Sequence, residues 1–259
     1  MALKLEIKRS VLSFDGEDDY VDCGYFPKYS QSTIAVWVKS PKTQNKYAGI
    51  VFMGDGVKAW GLAIKDGYVF HRVSTGSSQD GWEIEEYNEA NYPEGWHFMV
   101  VTDDGTVRKY YRDGVFVAEH TNKLTNSGSD QLLAIGRWGS YTGADSYFNG
   151  AICGVCIYNR ALSESEIRHN YLHPMSPVLD GLVLWLPMNE GSGSIAHDKS
   201  GNGNHGTIYG ASWDDYYWWD ETDYCVSLRR SIRSNGLEEL DGELVKDAVS
   251  VGQEIRLKE

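Results

Sequence analysis

Cysteine is scarce: four in 259 residues, at Cys23, Cys153, Cys156 and Cys225. That density excludes a disulfide-stapled scaffold. Proline numbers only six. No run approaches the roughly 18 apolar residues of a membrane-spanning helix, so no membrane span is expected. Positive charge is short as well: 24 Lys and Arg stand against 37 Asp and Glu, a formal net charge of −13. Such a chain repels phosphate, and its one basic cluster (Arg229, Arg230, Arg233) is too small to reverse that, which excludes a nucleic-acid partner. The N-terminal stretch MALKLEIKRSVLSFDG alternates and is charged throughout. It lacks the apolar core of a secretory signal. Helical periodicity is confined to one short place.

What the sequence does have is glycine (28) and aromatic side chains (13%, with 9 Trp and 17 Tyr). Aromatics fit a pleated surface, and frequent glycine marks turns, so the expectation is β structure. The overall balance, 41% hydrophobic and 24% charged, is that of an ordinary globular chain.

Twelve segments between Ser10 and Tyr158 read as short strands. They are punctuated by Asp-Gly pairs at 15–16, 55–56, 66–67, 104–105 and 113–114, dipeptides that accept positive φ and close tight hairpins. In Thr33–Lys39, Ile34, Val36 and Val38 alternate, while Ala35 and Trp37 make the other face partly apolar. That pattern predicts a strand covered on both sides, as in a sandwich. Ser163 and Glu166 form a capping box ahead of a short helix that ends before Pro174. A proline linker follows, then an apolar strand Gly181–Pro187, a Gly/Asn/Ser-rich loop 190–206 and a short strand Thr207–Trp213. Leu237–Val251 reads as strand-turn-strand about Asp241-Gly242.

Chemical motifs are few. Cys153 and Cys156 form a C-x-x-C, but an odd offset in a strand predicts side chains on opposite faces, which argues against a shared metal. The seven histidines accompany no G-x-S-x-G nucleophile turn, and no phosphate-binding glycine loop joins a strand to a helix.

Two blocks resemble the laminin-G-like, concanavalin A-like lectin jelly-roll modules. One is Val11–Asp22 (VLSFDGEDDYVD) together with Phe148–Ile167 (FNGAICGVCIYNRALSESEI); the other is Gly181–Gly193 with Asp198–Trp213. The resemblance covers roughly 10–213 and implies an all-β, two-sheet antiparallel jelly-roll sandwich. The block order is inverted relative to the family, because the Trp-Leu-Pro and Ser-Gly-Asn-Gly-Asn stretch comes last. Circular permutation would let 178–213 complete the sandwich of residues 1–213, leaving 214–259 as an interaction or assembly arm. A truncated second repeat, completed by a neighbouring chain, is the competing arrangement.

The resemblance implies that Asp198, with Asn202 and Asn204 in the same loop, can ligate a structural calcium. The acids that the family often carries on its last strand are absent from Ile152–Val155. Glycosidases of the same superfold carry paired acids on one strand, and Glu83 and Glu85 are expected to share a face. The third acid such a motif needs falls on Tyr87 or Asn88. The aromatic run Trp213, Tyr216, Tyr217, Trp218, Trp219 and Tyr224, interleaved with acids, is read as an interface, as packing onto the sandwich, or as a sugar platform. The resulting expectation is a non-enzymatic binding or structural module with a glycan or protein partner, forming a homo-oligomer or part of a larger assembly. It would sit on a virion surface (capsid decoration or fibre) or, as an adhesion protein, on a cell surface. A secreted carbohydrate-binding lectin module is the alternative, and a glycoside hydrolase the second alternative.

Overall fold

The structure is a computed structural model that describes residues 4–41, 43–54, 58–74, 79–124, 130–219 and 255–258. In chain order the elements are β1 (Lys4–Asp15), β2 (Tyr20–Phe26), β3 (Ser32–Lys39), β4 (Tyr47–Met53), β5 (Trp60–Lys65), β6 (Tyr68–Ser74), β7 (Gln79–Glu86), β8 (His97–Asp103), β9 (Val107–Arg112), β10 (Val115–Thr121), β11 (Gln131–Ile135), β12 (Asn149–Tyr158), α1 (Glu164–Leu172), β13 (Leu182–Leu186), β14 (Ile195–Ala196), β15 (Gly206–Tyr209), β16 (Ser212–Trp219) and β17 (Ile255–Lys258). They build two antiparallel sheets. A nine-stranded sheet runs β10-β9-β8-β3-β12-β1-β16, with β13 beside β12 and β17 beside β1; an eight-stranded sheet runs β14-β15-β2-β11-β4-β5-β6-β7. This is the jelly-roll sandwich.

The Asp-Gly turns explain the hairpins. Asp66 and Gly67 (φ 51° and 83°) join β5 to β6, and Asp113 and Gly114 (φ 52° and 76°) join β9 to β10, the mirror-image turn geometry that two-residue hairpins require. The 55–56 pair lies outside the described residues.

The two sheets bury one continuous apolar core that includes Ile34, Val36, Val51, Met53, Leu62, Val101 and Leu184. Strand β3 is buried on both faces, as its composition predicted. Its outer face is covered by α1, whose Tyr171 stacks on Trp37 at 5.5 Å. The helix starts at its capping box: the Ser163 amide donates to Glu166 Oε2 (2.8 Å), and the Glu166 amide donates back to Ser163 Oγ (3.4 Å).

The late segments pair within the same chain: β13 with β12, β15 with β2, and β16 with β1. The expected single strand Thr207–Trp213 is two strands. Gly210 (φ 74°) breaks it, and a side chain there would place Cβ 2.0 Å from Asp19 Oδ1. Leu237–Val251 lies outside the described residues.

Two bulges change which side chains face which way. On β12, Cys153 lies opposite Trp37 and Cys156 opposite Ala35, with Gly154 (φ 58°) absorbing the extra residue. Trp37 and Ala35 share a face, so the two cysteines share it too. The expectation of opposite faces fails because the strand is not regular between them. Both thiols are buried and unbridged, and burial pushes the Cys156 thiol up to about 12. On β7 the register slips around Ile84: Val69 pairs with Glu85, and the adjacent Phe70 pairs with Glu83.

Candidate functional site

The second slip decides the acidic strand. Val69 faces the core and Phe70 faces outward, so Glu85 points between the sheets and Glu83 points to the outside. Inside, Glu85 accepts from Arg112 Nη1 (2.7 Å) and from the Tyr92 hydroxyl (2.6 Å), and it is committed to structure. Glu83 lies 3.6 Å from Lys65 Nζ on the surface. The expected pairing of these carboxylates on one cleft face is therefore corrected, because a one-residue bulge reverses the alternation. A third acid of the strand, Asp80, is buried against Arg108, whose guanidinium bonds it directly.

The outward face of the eight-stranded sheet can be followed across its register. Tyr209 pairs with Tyr20, and Thr207 with Asp22. Asp22 is opposite Ala134, Ala134 opposite Phe52, and Phe52 opposite Gly61. Phe70 follows, opposite Ala63. Aromatic side chains thus line both ends of one face.

At one end the loop after β11 folds over the sheet. Trp138 stacks on Phe52 (4.0 Å between ring centroids) and on Phe70 (5.9 Å), with Tyr47 edge-on at 5.4 Å. Only glycine permits the close approach: a Cβ at Gly139 (φ 51°) would sit 1.8 Å from the Gly54 carbonyl oxygen. Tyr141, beside Tyr47 on this loop, is 43% exposed.

At the other end three side chains form a stack. The Arg137 guanidinium lies 3.7 Å from the centre of the Tyr20 ring, and Tyr20 stacks on Tyr209 at 4.8 Å with an interplanar angle of 15°. Tyr209 is 46% exposed, and Tyr25, farther along β2, is 78% exposed. Such a surface offers ring faces to sugar C–H groups, with Asp22 and Arg137 beside them as acceptor and donor. A separate open cleft of about 480 Å³ lies among Lys39, Ser40, Pro41, Glu89, Glu94, Gly95, Asn149 and Gly150 and contains no aromatic side chain.

The structure brings Asp198, Asn202 and Asn204 together, as a strap on β13. Asp198 Oδ1 accepts from the Trp185 amide (3.0 Å) and the Ser200 amide (2.9 Å); Oδ2 accepts from Ser200 Oγ and from the Asn204 amide, both at 2.9 Å. Asn204 Nδ2 donates to the Val183 carbonyl (2.9 Å), and Asn202 Nδ2 donates to Leu182 and Val183 carbonyls (3.3 Å each). Burial alone would raise the Asp198 pKa, but the hydrogen bonds outweigh it and hold the carboxyl below its usual value. Donors fill the carboxylate's acceptor positions and both asparagines present nitrogen, so these residues do not fit the calcium that the resemblance implied. The sequence signal was real, but it encodes a hydrogen-bonded loop. Elsewhere, carboxylate oxygens of Asp15, Asp18 and Asp19 lie within 4.8 Å of one another, and burial, with these neighbouring charges, raises the Asp19 pKa.

Of the aromatic run, Trp213 is half-buried and its indole donates to the Gly193 carbonyl (2.8 Å). Tyr216, Tyr217, Trp218 and Trp219 continue β16 along β1, opposite Arg9, Lys8, Ile7 and Glu6. Tyr224 and most of the proposed arm 214–259 lie outside the described residues. The half-buried Tyr20 and the exposed Tyr209 and Tyr25 were missed as site candidates. Their signal was the alternation in Tyr20-Val-Asp22 and Thr207-Ile-Tyr209, which puts both tyrosines on the solvent side.

The family model for the concanavalin A-like lectin/glucanases superfamily matches residues 15–168, more than half of the chain. No curated protein matches it significantly. Among solved structures, a candidate carbohydrate-binding protein from Bacteroides ovatus is similar at 17% identity and a TM-score of 0.59, over 80% of this chain and 59% of that one. The chain thus spans less than two thirds of that structure's length. Domain 4 of AbnA, a GH43 extracellular arabinanase from Geobacillus stearothermophilus in complex with arabinotriose, is similar at 20% identity and a TM-score of 0.47, over 61% of this chain and 74% of that one. At these identities the likeness is one of fold. Among the described residues, no helix is long and apolar enough to cross a membrane.

Proposed function

We propose that the chain, which belongs to the concanavalin A-like lectin/glucanases superfamily, binds carbohydrate without hydrolysing it, and does so on the outward face of its eight-stranded sheet. The observation that carries this reading is the exposed Tyr209–Tyr20 stack with Arg137 and Asp22 beside it. A ring face next to a donor and an acceptor is the combination a pyranose needs, since its C–H patches stack while its hydroxyls bond. The division of Glu83 and Glu85 between two faces supports binding over hydrolysis, because glycosidic cleavage requires two carboxyl groups flanking one bond.

The finer reading is a lectin-like body displayed as an oligomer on a virion or cell surface. The net charge of −13 suits an exposed, soluble setting, and light scattering of the full chain tests the oligomer.

The binding test is a glycan array followed by calorimetry on the best ligand. Tyr209→Ala is expected to weaken binding about tenfold, the equivalent of roughly 1.4 kcal/mol. Binding of no glycan at all, or equal affinity in the variant, would overturn the reading.

A further inference from the structure

The arginines of the described chain differ in one respect. Arg108, Arg112 and Arg160 each meet a carboxylate, at Asp80, Glu85 and Glu166 respectively. Arg137 meets none within 4.0 Å among the described residues. Yet only 6% of it is exposed. Its Nε donates to the Gly139 carbonyl (2.8 Å), and its guanidinium carbon lies over the Tyr20 ring, 3.7 Å from its centre. The two terminal nitrogens have no acceptor in the described protein and are not sealed from solvent. A buried guanidinium without a counter-charge is a costly arrangement, and one aromatic face compensates only part of the lost hydration. The side chain cannot swing away to water without leaving the Tyr20 ring and its bond to Gly139.

We infer that Arg137 is the anion subsite of this face: the glycan it takes carries an oxyanion, a carboxylate or a sulfate ester, on one of its sugars. The inference rests on the glycan-binding reading and narrows its ligand class. The geometry suits it in three ways. The terminal nitrogens of a guanidinium form a planar fork that matches two oxygens of one acid group. Arg137 covers one side of Tyr20 and Tyr209 the other, so a sugar on the open face of Tyr209 sits at the far end of the stack, and the fork meets a different sugar of the same oligosaccharide as it passes over the ring edges. The chain as a whole is strongly acidic, so a positioned cation without a carboxylate partner favours an anion at this point.

The test compares a trigalacturonate with its methyl ester, a sulfated galactan trimer with its desulfated form, and a neutral glycan array, all on the full wild-type chain. At low salt, one acidic ligand is expected to bind at least tenfold more tightly than its neutral counterpart, and which of the two does so identifies the oxyanion. Arg137→Met should abolish that preference, bringing the affinity for the acidic ligand down to that for its neutral counterpart. Should Arg137→Met fail to fold, judged by its near-ultraviolet circular dichroism, the wild-type comparison of acid with neutral counterpart decides alone, and Arg137→Lys, which keeps charge but loses the fork, should reduce the preference. Binding of neutral glycans with no preference for either acid overturns the anion subsite and leaves the glycan-binding reading standing. Binding of nothing on either panel overturns both.

Discussion

Replacing Asp80 by alanine should be among the most damaging single changes in the chain. Asp80 on β7 and Arg108 on β9 join the two sheets, and their side chains are 1% and 0% exposed. Asp80 Oδ2 also accepts from the Lys123 amide (2.9 Å), and Oδ1 lies 3.1 Å from His120 Nε2. Arg108 Nε donates to Asn122 Oδ1 (2.6 Å). Without Asp80, the nearest remaining carboxylate is Asp103, whose Oδ2 is 3.9 Å from Arg108 Nε and makes no hydrogen bond. The arginine would be left as an uncompensated buried charge, which costs about 3–5 kcal/mol. In a chain of this size each kcal/mol lowers Tm by about 2–4 °C, so the expected loss is roughly 6–20 °C. Urea titration with calorimetry measures it. Asp80→Asn, which keeps an acceptor for Lys123, should lose less. The double variant Asp80→Leu/Arg108→Met should recover part of the loss, because it removes both charges together. A loss below about 1 kcal/mol for Asp80→Ala would refute the assignment of this pair as the clasp between the sheets.

Two further outcomes follow from individual side chains. Arg160 holds the Glu166 carboxyl down to about 2, against an ordinary value of 4.5. A depressed carboxylate stabilises the fold above its unfolded pKa, and the contribution disappears as pH falls from about 4.5 toward 2. Because the pair is partly exposed, the effect should be about 1 kcal/mol, and Arg160→Ala should flatten the acid limb of a Tm-against-pH curve; an unchanged limb would refute it. Glu85→Ala should cost about 2 kcal/mol by stranding Arg112 and the Tyr92 hydroxyl, whereas Glu83→Ala should stay within about 0.5 kcal/mol by thermal melting. Equal effects would mean that the two side chains do share a face.

The fold was legible where the signal is local. Each described Asp-Gly pair lies at the end of a strand, and the capping box at Ser163 forms because both of its bonds close within one helical turn. Strand boundaries from Ser10 to Tyr158 matched to within a few residues, apart from β1, which starts earlier at Lys4. Orientation was less legible, since it depends on register. Glu83 and Glu85, and Cys153 and Cys156, were assigned to faces by assuming regular alternation, and each pair straddles a bulge that only the neighbouring strand reveals. Asp198 is ambiguous for another reason: the residues that cage a cation and those that cap a loop are the same types, and the sequence does not show which way the N–H groups point. The site itself depends on long-range pairing. Nothing near Tyr20 in sequence announces Tyr209, and nothing near Arg137 announces that it will be buried without a carboxylate.

Bulges also explain how one acidic strand is accommodated at the sandwich. A regular β7 would carry Glu83 and Glu85 to the same side, either both into the core, where two like charges are costly, or both outward beside Phe70. The slip at Ile84 sends one acid to each side instead. The inner one finds Arg112 and becomes a strut; the outer one meets Lys65. On the same face, Arg137 lies against the Tyr20 ring with no carboxylate partner among the described residues. Stability is built from pairs that satisfy each other inside the sandwich, as Asp80 with Arg108 and Glu85 with Arg112 do.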